Sequence, residues 1–283
     1  MTRAAETPRV VVGPGAGAVT PEVEARLLAA FPGHELVRLP LDGDVREALG
    51  DAGDVVVAGG DGTVGVVVRA LAGTQRRIAL IPLGTFNNFA RSLGIPEDLD
   101  AAVEVARSGR PRPVTLGRIE GRPFLEVAAA GAFGELIALG EAARELAFGE
   151  LGGRIRELGT GLVRPFRYVL AGDLRRTGLA RSLVFSNTPT TGAHLVVGDA
   201  TPDDPYLELA LGLVGRRDLV GHVAAALLRR PVRREVNLRF RRVTVSTEPP
   251  VPVFADTIEI GRTPVTVAAD PGAVIVLEPA GRP

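Results

Sequence analysis

Val55–Leu71, VVVAGGDGTVGVVVRAL, decides how this chain folds. A β-branched run meets two glycines, an aspartate, a third glycine and a threonine, and apolar residues then recur at helical spacing. Strand, glycine turn and helix in that order belong to an α/β unit. The plan repeats in Leu80–Pro96, LIPLGTFNNFARSLGIP. A glycine turn between a parallel strand and a helix presents free backbone N–H groups at the positive end of the helix dipole, which cradles phosphate. In the first turn Gly59, Gly60 and Gly62 let a ligand approach the backbone, and Thr63 can cap the helix or bond a phosphate oxygen. Asp61 is the odd member. A carboxylate facing phosphate repels it unless a cation lies between, so Asp61 calls for Mg²⁺. The second turn offers Gly84, Thr85 and Asn87. If the two strands are neighbours, both turns open at one carboxyl edge and hold one polyphosphate between them. The alternative is a pair of ordinary glycine turns.

Outward from these turns the alternation continues. Arg9–Gly13 reads as a buried strand and Pro21–Phe31 as a helix with Pro21 at its first position and Thr20 as cap. HELVRLPL, DVVVAGG and RIALIPLG read as strands, and DVREALGDA, TVGVVVRALAG, NNFARSLG and EDLDAAVEVARSG as helices. The strands are continuous apolar runs, as in a parallel sheet covered on both faces. Near Gly109–Thr115 the pattern changes to short strands and tight turns, with a helical, arginine-rich section expected over Glu135–Leu170. The expected organisation is an α/β three-layer nucleotide-binding domain over residues 1–112. A mainly antiparallel β-sandwich domain follows over 113–283, its C-terminal tail packing back on the first domain.

Composition removes several functions. The chain has 283 residues, 33 basic and 33 acidic, no cysteine, and arginine at every basic position. Disulfides, thiol catalysis, a P-loop lysine and a Schiff-base lysine are excluded. Balanced charge gives no global argument for nucleic acid or an anionic membrane. His34, His194 and His222 are scattered, without metal-ligand spacing. Met1–Pro8 is polar and leads into a strand, so no signal peptide is expected, and no stretch is long and apolar enough to span a bilayer. A cytoplasmic protein is expected. Leu227–Arg242 holds seven arginines against Glu235. It reads either as a strand edge guarded by charge or as a peripheral contact with the inner membrane face.

Gly59-Gly60-Asp61-Gly62-Thr63 resembles the signature shared by diacylglycerol, sphingosine and ceramide kinases, NAD kinases and phosphofructokinases. PLGTFNNFARSLGIP narrows this: it is similar to the corresponding segment of bacterial diacylglycerol-kinase-like lipid kinases. FLEVAAAGAFGELIA, FSNTPTTGAHLVVGDATPDDPYLELAL and TPVTVAADPGAVIVLEP fall in that family's order. The resemblance implies that ATP and Mg²⁺ are used to phosphorylate a lipid alcohol in a cleft between two domains. It also implies a structural Mg²⁺ on the loop Asp203–Glu208, DDPYLE, with Asp204 as side-chain ligand and the carbonyls of Thr201 and Tyr206 beside it; the other reading is an aspartate-capped surface turn.

The chain departs from the family at defined positions. Gly13-Pro14 stands for Asn-Pro, Leu39-Pro40 for a threonine loop, and Gly65-Val66 for Asn-Glu. Asn88 stands where many members have aspartate. The family's Asp-Gly-Glu triplet, whose glutamate is the proposed general base, falls on Asp256-Thr257-Ile258. Isoleucine takes no proton. The expectation is that Asp256, two residues earlier on the same strand face, substitutes; with a bulge, Glu259 would do so instead. A slow lipid kinase, a nucleotide- or lipid-binding pseudokinase, and a kinase of a soluble alcohol all remain open.

Overall fold

The computed structural model describes residues 7–13, 19–39, 44–50, 53–134, 164–192, 195–212 and 237–280. The chain divides into two compact units, Met1–Thr115 with Pro271–Pro283, and Leu116–Asp270.

The first unit alternates β1 (Arg9–Val12), α1 (Pro21–Ala30), β2 (Glu35–Arg38), α2 (Val45–Leu49), β3 (Val55–Gly59), α3 (Asp61–Leu71), β4 (Arg77–Pro82), α4 (Asn88–Ser92) and α5 (Leu99–Ser108). Local chemistry sets the helix starts. The Thr20 hydroxyl accepts the Val23 N–H, and the Asp44 and Asp98 carboxylates cap α2 and α5. The strands pair in parallel in the order β2-β1-β3-β4, so β3 and β4 are neighbours. Residues Pro271–Glu278 of the last strand add to β4 in parallel, through Ile275 and Val276. One sheet face packs Val10, Val12, Val56, Ala58, Ala79 and Ile81 against Leu27 and Phe31 at α1 and Ala102 and Ala106 of α5. On the other face α3 lies on β3 and α2 and buries Val64, Val67, Val68 and Leu71. This is the three-layer architecture, and it explains the apolar runs: both faces of each strand are covered.

The second unit is antiparallel. Its strands are β5 (Arg110–Ile119, shared with the first unit), β6 (Arg122–Phe124), β7 (Val127–Gly131), β8 (Phe166–Gly172), β9 (Arg176–Ala180), β10 (Ser182–Ser186), β11 (Thr190–Thr191), β12 (Leu195–Val196), β13 (Leu207–Gly212), β14 (Asn237–Phe240), β15 (Arg242–Glu248), β16 (Pro252–Ala255), β17 (Ile258–Arg262) and β18 (Val265–Glu278). A six-stranded sheet runs β14-β13-β10-β7-β16-β17. Facing it, β9, β8, β15 and the first half of β18 pair antiparallel. Phe124, Phe166, Tyr168, Phe185, Leu209, Phe240, Val245 and Val267 fill the space between, a β-sandwich core.

Two expectations are corrected here. Phe166–Leu170 is strand, not helix: Phe166, Tyr168 and Leu170 point inward while Arg167 and Val169 point outward, a period of two. The remainder of the arginine-rich section, 135–163, lies outside the described residues. The closing segments TPVTVAAD and AVIVLEP are one strand of 14 residues rather than two.

Candidate functional site

The two glycine turns meet. β3 ends at Gly59, Gly60 is the N-cap of α3, and no side chain caps that helix. The first intrahelical bond is Val64 N–H to the Gly60 carbonyl, 3.0 Å. The amides of Gly62 and Thr63 lie in the first turn, where an α-helix supplies no carbonyl four residues back. β4 runs beside β3, and Leu83 N–H reaches the Gly59 carbonyl at 3.0 Å. A Cβ on Gly84 would lie 2.4 Å from the Gly60 Cα, and one on Gly60 would lie 3.0 Å from the Gly84 Cα. The turns touch backbone to backbone, and only glycine permits it.

Thr63 locks in the third strand end. A Cβ on Gly13, directly after β1, would sit 1.9 Å from the Thr63 Oγ1, and one on Gly59 would sit 2.7 Å from its Cβ. The threonine side chain occupies the space a residue at position 13 would need. The missing asparagine of the first loop is thus matched by a seated Thr63. Gly62, in contrast, is open: a Cβ added there would meet nothing within 4 Å. This open ground over uncapped amides fits a phosphate group, and Asp61, in the first turn of α3, is the carboxylate that would hold a cation on it.

Asn87 shapes the second turn. It adopts the left-handed conformation, φ 51°, and its side chain accepts the Gly84 N–H and donates to the Gly84 carbonyl, both at 2.9 Å. Both ends of its amide are engaged with the turn itself, and the side chain is buried. Thr85 is exposed at the tip. Gly65 lies under the guanidinium of Arg69, one helical turn on.

In the second unit the sequence-based placement of Asp256 is overturned. Asp256 is not on a strand face shared with Ile258. It begins the two-residue turn between β16 and β17, at φ 52°, where Ala255 pairs with Ile258. VPVFADTIEIG looks like one run because Asp-Thr is a weak turn signal beside Asn-Gly or Asp-Gly. The Asp256 carboxylate accepts the N–H groups of Leu125, Glu126 and Val127 at 3.1, 2.9 and 3.3 Å, and its own N–H donates to the Val127 carbonyl at 2.7 Å. It is a clamp on the β6–β7 connection. Ile258 is half exposed on the edge strand β17. Glu259 is also exposed, opposite Phe254, and the bulge of this hairpin falls at Val253/Phe254 and not at Thr257.

The Asp203–Glu208 loop closes on itself. The Asp204 Oδ2 accepts both the N–H and the hydroxyl of Thr201, at 2.9 and 3.2 Å, and the Thr201 carbonyl accepts the Asp204 N–H at 2.9 Å. Arg239 lies over the Tyr206 ring, 4.6 Å from its centroid, with its Nε 3.3 Å from buried Glu208. The Tyr206 hydroxyl is pushed up by burial and by its hydrogen bond to Asp204. Across this turn the Asp204 Oδ2 and the Thr201 carbonyl are each engaged by the other residue, the arrangement of an aspartate-capped turn. Among the described residues no three His, Asp or Glu side chains converge to hold a metal.

Sequence reasoning passed over Glu126. It is buried, 8% exposed, with its Oε2 accepting the Thr191 hydroxyl at 2.7 Å. A charged residue opening an otherwise apolar run, EVAAAG, was the available signal.

A parallel α/β unit whose two glycine turns meet at its carboxyl edge is thus joined in one chain to an antiparallel sandwich unit. Residues 13–119 match the diacylglycerol kinase catalytic domain. It is similar to a diacylglycerol kinase of Bacillus subtilis, 42% identical over 85 residues, 29% of this chain and 28% of that protein. It is also similar to a probable YegS-like lipid kinase of Pseudomonas aeruginosa, 33% identical over 201 residues, 66% of this chain and 64% of that one. The matched stretches span less than two thirds of these relatives' lengths. A crystal structure of a diacylglycerol kinase from Bacillus anthracis shares the fold with a TM-score of 0.73 at 19% identity, over 97% of both chains. The yeast NADH kinase complexed with NADH shares it more distantly, with a TM-score of 0.54 at 11% identity, over 98% of this chain and 85% of that one.

Proposed function

We propose that the chain transfers the γ-phosphoryl group of ATP to the hydroxyl of a lipid alcohol such as diacylglycerol. The observation that carries this is the meeting of the two turns: Gly60 and Gly84 touch backbone to backbone, and a Cβ added at Gly62, in the first turn of α3, would meet nothing within 4 Å. Phosphoryl transfer asks a protein mainly for position and charge stabilisation, which such a cradle supplies. Asp61 would hold Mg²⁺, whose charge offsets that of the phosphates when bound. The lipid acceptor is proposed because the chain's relatives carry names of lipid kinases.

The acceptor must come from a bilayer. No helix among the described residues is long and apolar enough to cross a membrane. A peripheral contact is therefore part of the proposal. Most of the basic stretch Leu227–Arg242 lies outside the described residues. Its described end is strand β14 and the bend at Arg241.

The second reading, a pseudokinase, draws on one observation: position 258 carries isoleucine, and the Asp256 carboxylate is committed to three backbone amides. The deciding experiment offers γ-labelled ATP and Mg²⁺ with a panel of lipid alcohols in micelles and soluble alcohols in buffer. Label in one lipid class supports the proposal. Label only in soluble acceptors, or ATP binding without any transfer, contradicts it.

A further inference from the structure

We infer that the second unit carries a docking face for an anionic bilayer, built from the β8–β9 turn and the β14–β15 bend, with Arg175, Arg176, Arg241 and Arg242 as the groups that meet lipid phosphates. The inference deepens the kinase reading above by naming the surface through which a lipid acceptor is reached, and it lies wholly within one unit.

The face is assembled by folding. Arg175 and Arg176 stand at the turn after β8, and Arg241 and Arg242 at the bend between β14 and β15. β8 and β15 are antiparallel neighbours, with Gly172 opposite Val243, so both connections lie at one end of the sheet. Asp173 joins them. Its Oδ2 accepts the N–H groups of Arg241 and Arg242 at 2.8 and 2.9 Å, and its own N–H donates to the Arg242 carbonyl at 3.1 Å. Gly172, at φ 121°, permits this approach: a Cβ there would lie 2.8 Å from the Arg242 carbonyl oxygen. Leu174 packs against the sandwich core and so anchors the turn, while Arg175 and Arg176 beside it are exposed.

All four arginines are exposed, and among the described residues none forms a salt bridge. Asp173, the carboxylate in their midst, uses its Oδ2 on two backbone amides. Asp270, next to the Ala269 N–H that bonds the Arg241 carbonyl, pairs with Arg118 at 2.6 Å. Four guanidiniums thus stand against one carboxylate, in a chain whose 33 basic and 33 acidic residues balance overall.

The chemistry of the face favours a bilayer. A guanidinium fork matches phosphate oxygens, and a basic cluster is drawn to anionic headgroups. On the same hairpin Val169 and Leu179 are exposed, Leu179 by 63%. Aliphatic side chains beside arginines suit the boundary between headgroups and acyl chains. Single-stranded nucleic acid would ask for stacking rings, and the rings of this hairpin, Phe166 and Tyr168, are buried.

The test is cosedimentation of the whole chain, without ATP, with vesicles of phosphatidylcholine alone and of equal parts phosphatidylcholine and phosphatidylglycerol. Binding is expected to the anionic vesicles only, and to fade as salt rises toward about 1 M, where the Debye length is about 3 Å. A base near an anionic surface contributes about fivefold (~1 kcal/mol), so Arg175→Gln with Arg176→Gln, and Arg241→Gln with Arg242→Gln, should each lower partitioning about 30-fold at parental melting temperature. Arg107→Gln with Arg110→Gln, exposed arginines of the first unit, should leave binding unchanged. Should one glutamine pair melt early, the other pair decides. No binding to anionic vesicles, equal binding to neutral ones, parental binding by the folded glutamine pairs, or an equal loss from the control pair overturns the inference. So does a need for the same arginines in binding duplex DNA or in self-association while vesicles are left unbound. A parent that binds anionic vesicles through this face yet labels no lipid alcohol removes the kinase reading and leaves the docking face standing.

Discussion

At the scale of single residues, Asp256 and Asp61 separate structure from chemistry. Asp256→Ala removes one acceptor from three amides and keeps an unfavourable positive φ. Leaving buried N–H groups unsatisfied costs about 1–3 kcal/mol. Denaturant unfolding should show a loss of that order, larger than for Asp256→Asn; unchanged stability with abolished transfer would return Asp256 to a catalytic role. Ile258→Glu is the complementary change. It should raise transfer by up to the ~10²–10⁴-fold that general bases supply, and no gain would place position 258 outside the reaction. Asp173 gives a pH prediction. The N–H groups of Arg242 and Arg241 lower its carboxyl below the ordinary value. Its stabilisation is present above the unfolded aspartate value, about 3.9, and is lost as pH falls through the lowered folded value. Asp173→Asn should flatten the acid side of a melting-temperature profile, while an unchanged profile would remove the role. These roles were hard to read beforehand, because hydrogen bonds to Asp256 come from residues 125–127, far away in sequence.

At the scale of elements, the glycine turns make predictions of opposite kind. Gly84→Ala forces a methyl to 2.4 Å from the Gly60 Cα, so melting temperature and nucleotide affinity should fall together. Gly62→Ala meets nothing within 4 Å, so calorimetry should find weaker nucleotide binding in a protein of parental stability. Equal behaviour of the two variants would mean that the turns are structural only. Most of the first unit was legible because its signals are local: β-branched runs, caps at Thr20 and Asp44, and glycine just after or at the end of β1, β3 and β4. The neighbouring of β3 and β4, on which the meeting of the turns depends, was a conditional that the sheet order satisfies. In the second unit the strands were legible and their joints were not. The Asp256-Thr257 turn carries no glycine, and the continuous β18 carries Pro271-Gly272, a pair that reads as a break. Long-range pairing with β15 and β4 overrides that local signal.

At the scale of the whole molecule, the first unit is not contiguous in sequence. Pro271–Glu278 supplies a strand beside β4, the Ala273 carbonyl accepts the Gly73 N–H at 2.7 Å, and Glu278 pairs with Arg112 at 2.8 Å. A chain ending at Asp270 should lose the cooperative unfolding of this unit and its nucleotide binding; retention of both would show that the strand is dispensable. The two glycine turns thus belong to one sheet edge of the first unit, and the Asp256 turn belongs to the second. The function proposed for this arrangement meets its most direct test in one reaction: transfer of label from γ-labelled ATP to diacylglycerol in mixed micelles, with Mg²⁺, by the parent and by Asp61→Ala. The expected result is labelled phosphatidic acid from the parent and at least about a hundredfold less from the variant, taking the usual ~10²–10³ loss for a missing electrostatic group. Equal labelling by both proteins, or none by the parent with any lipid alcohol, would contradict it.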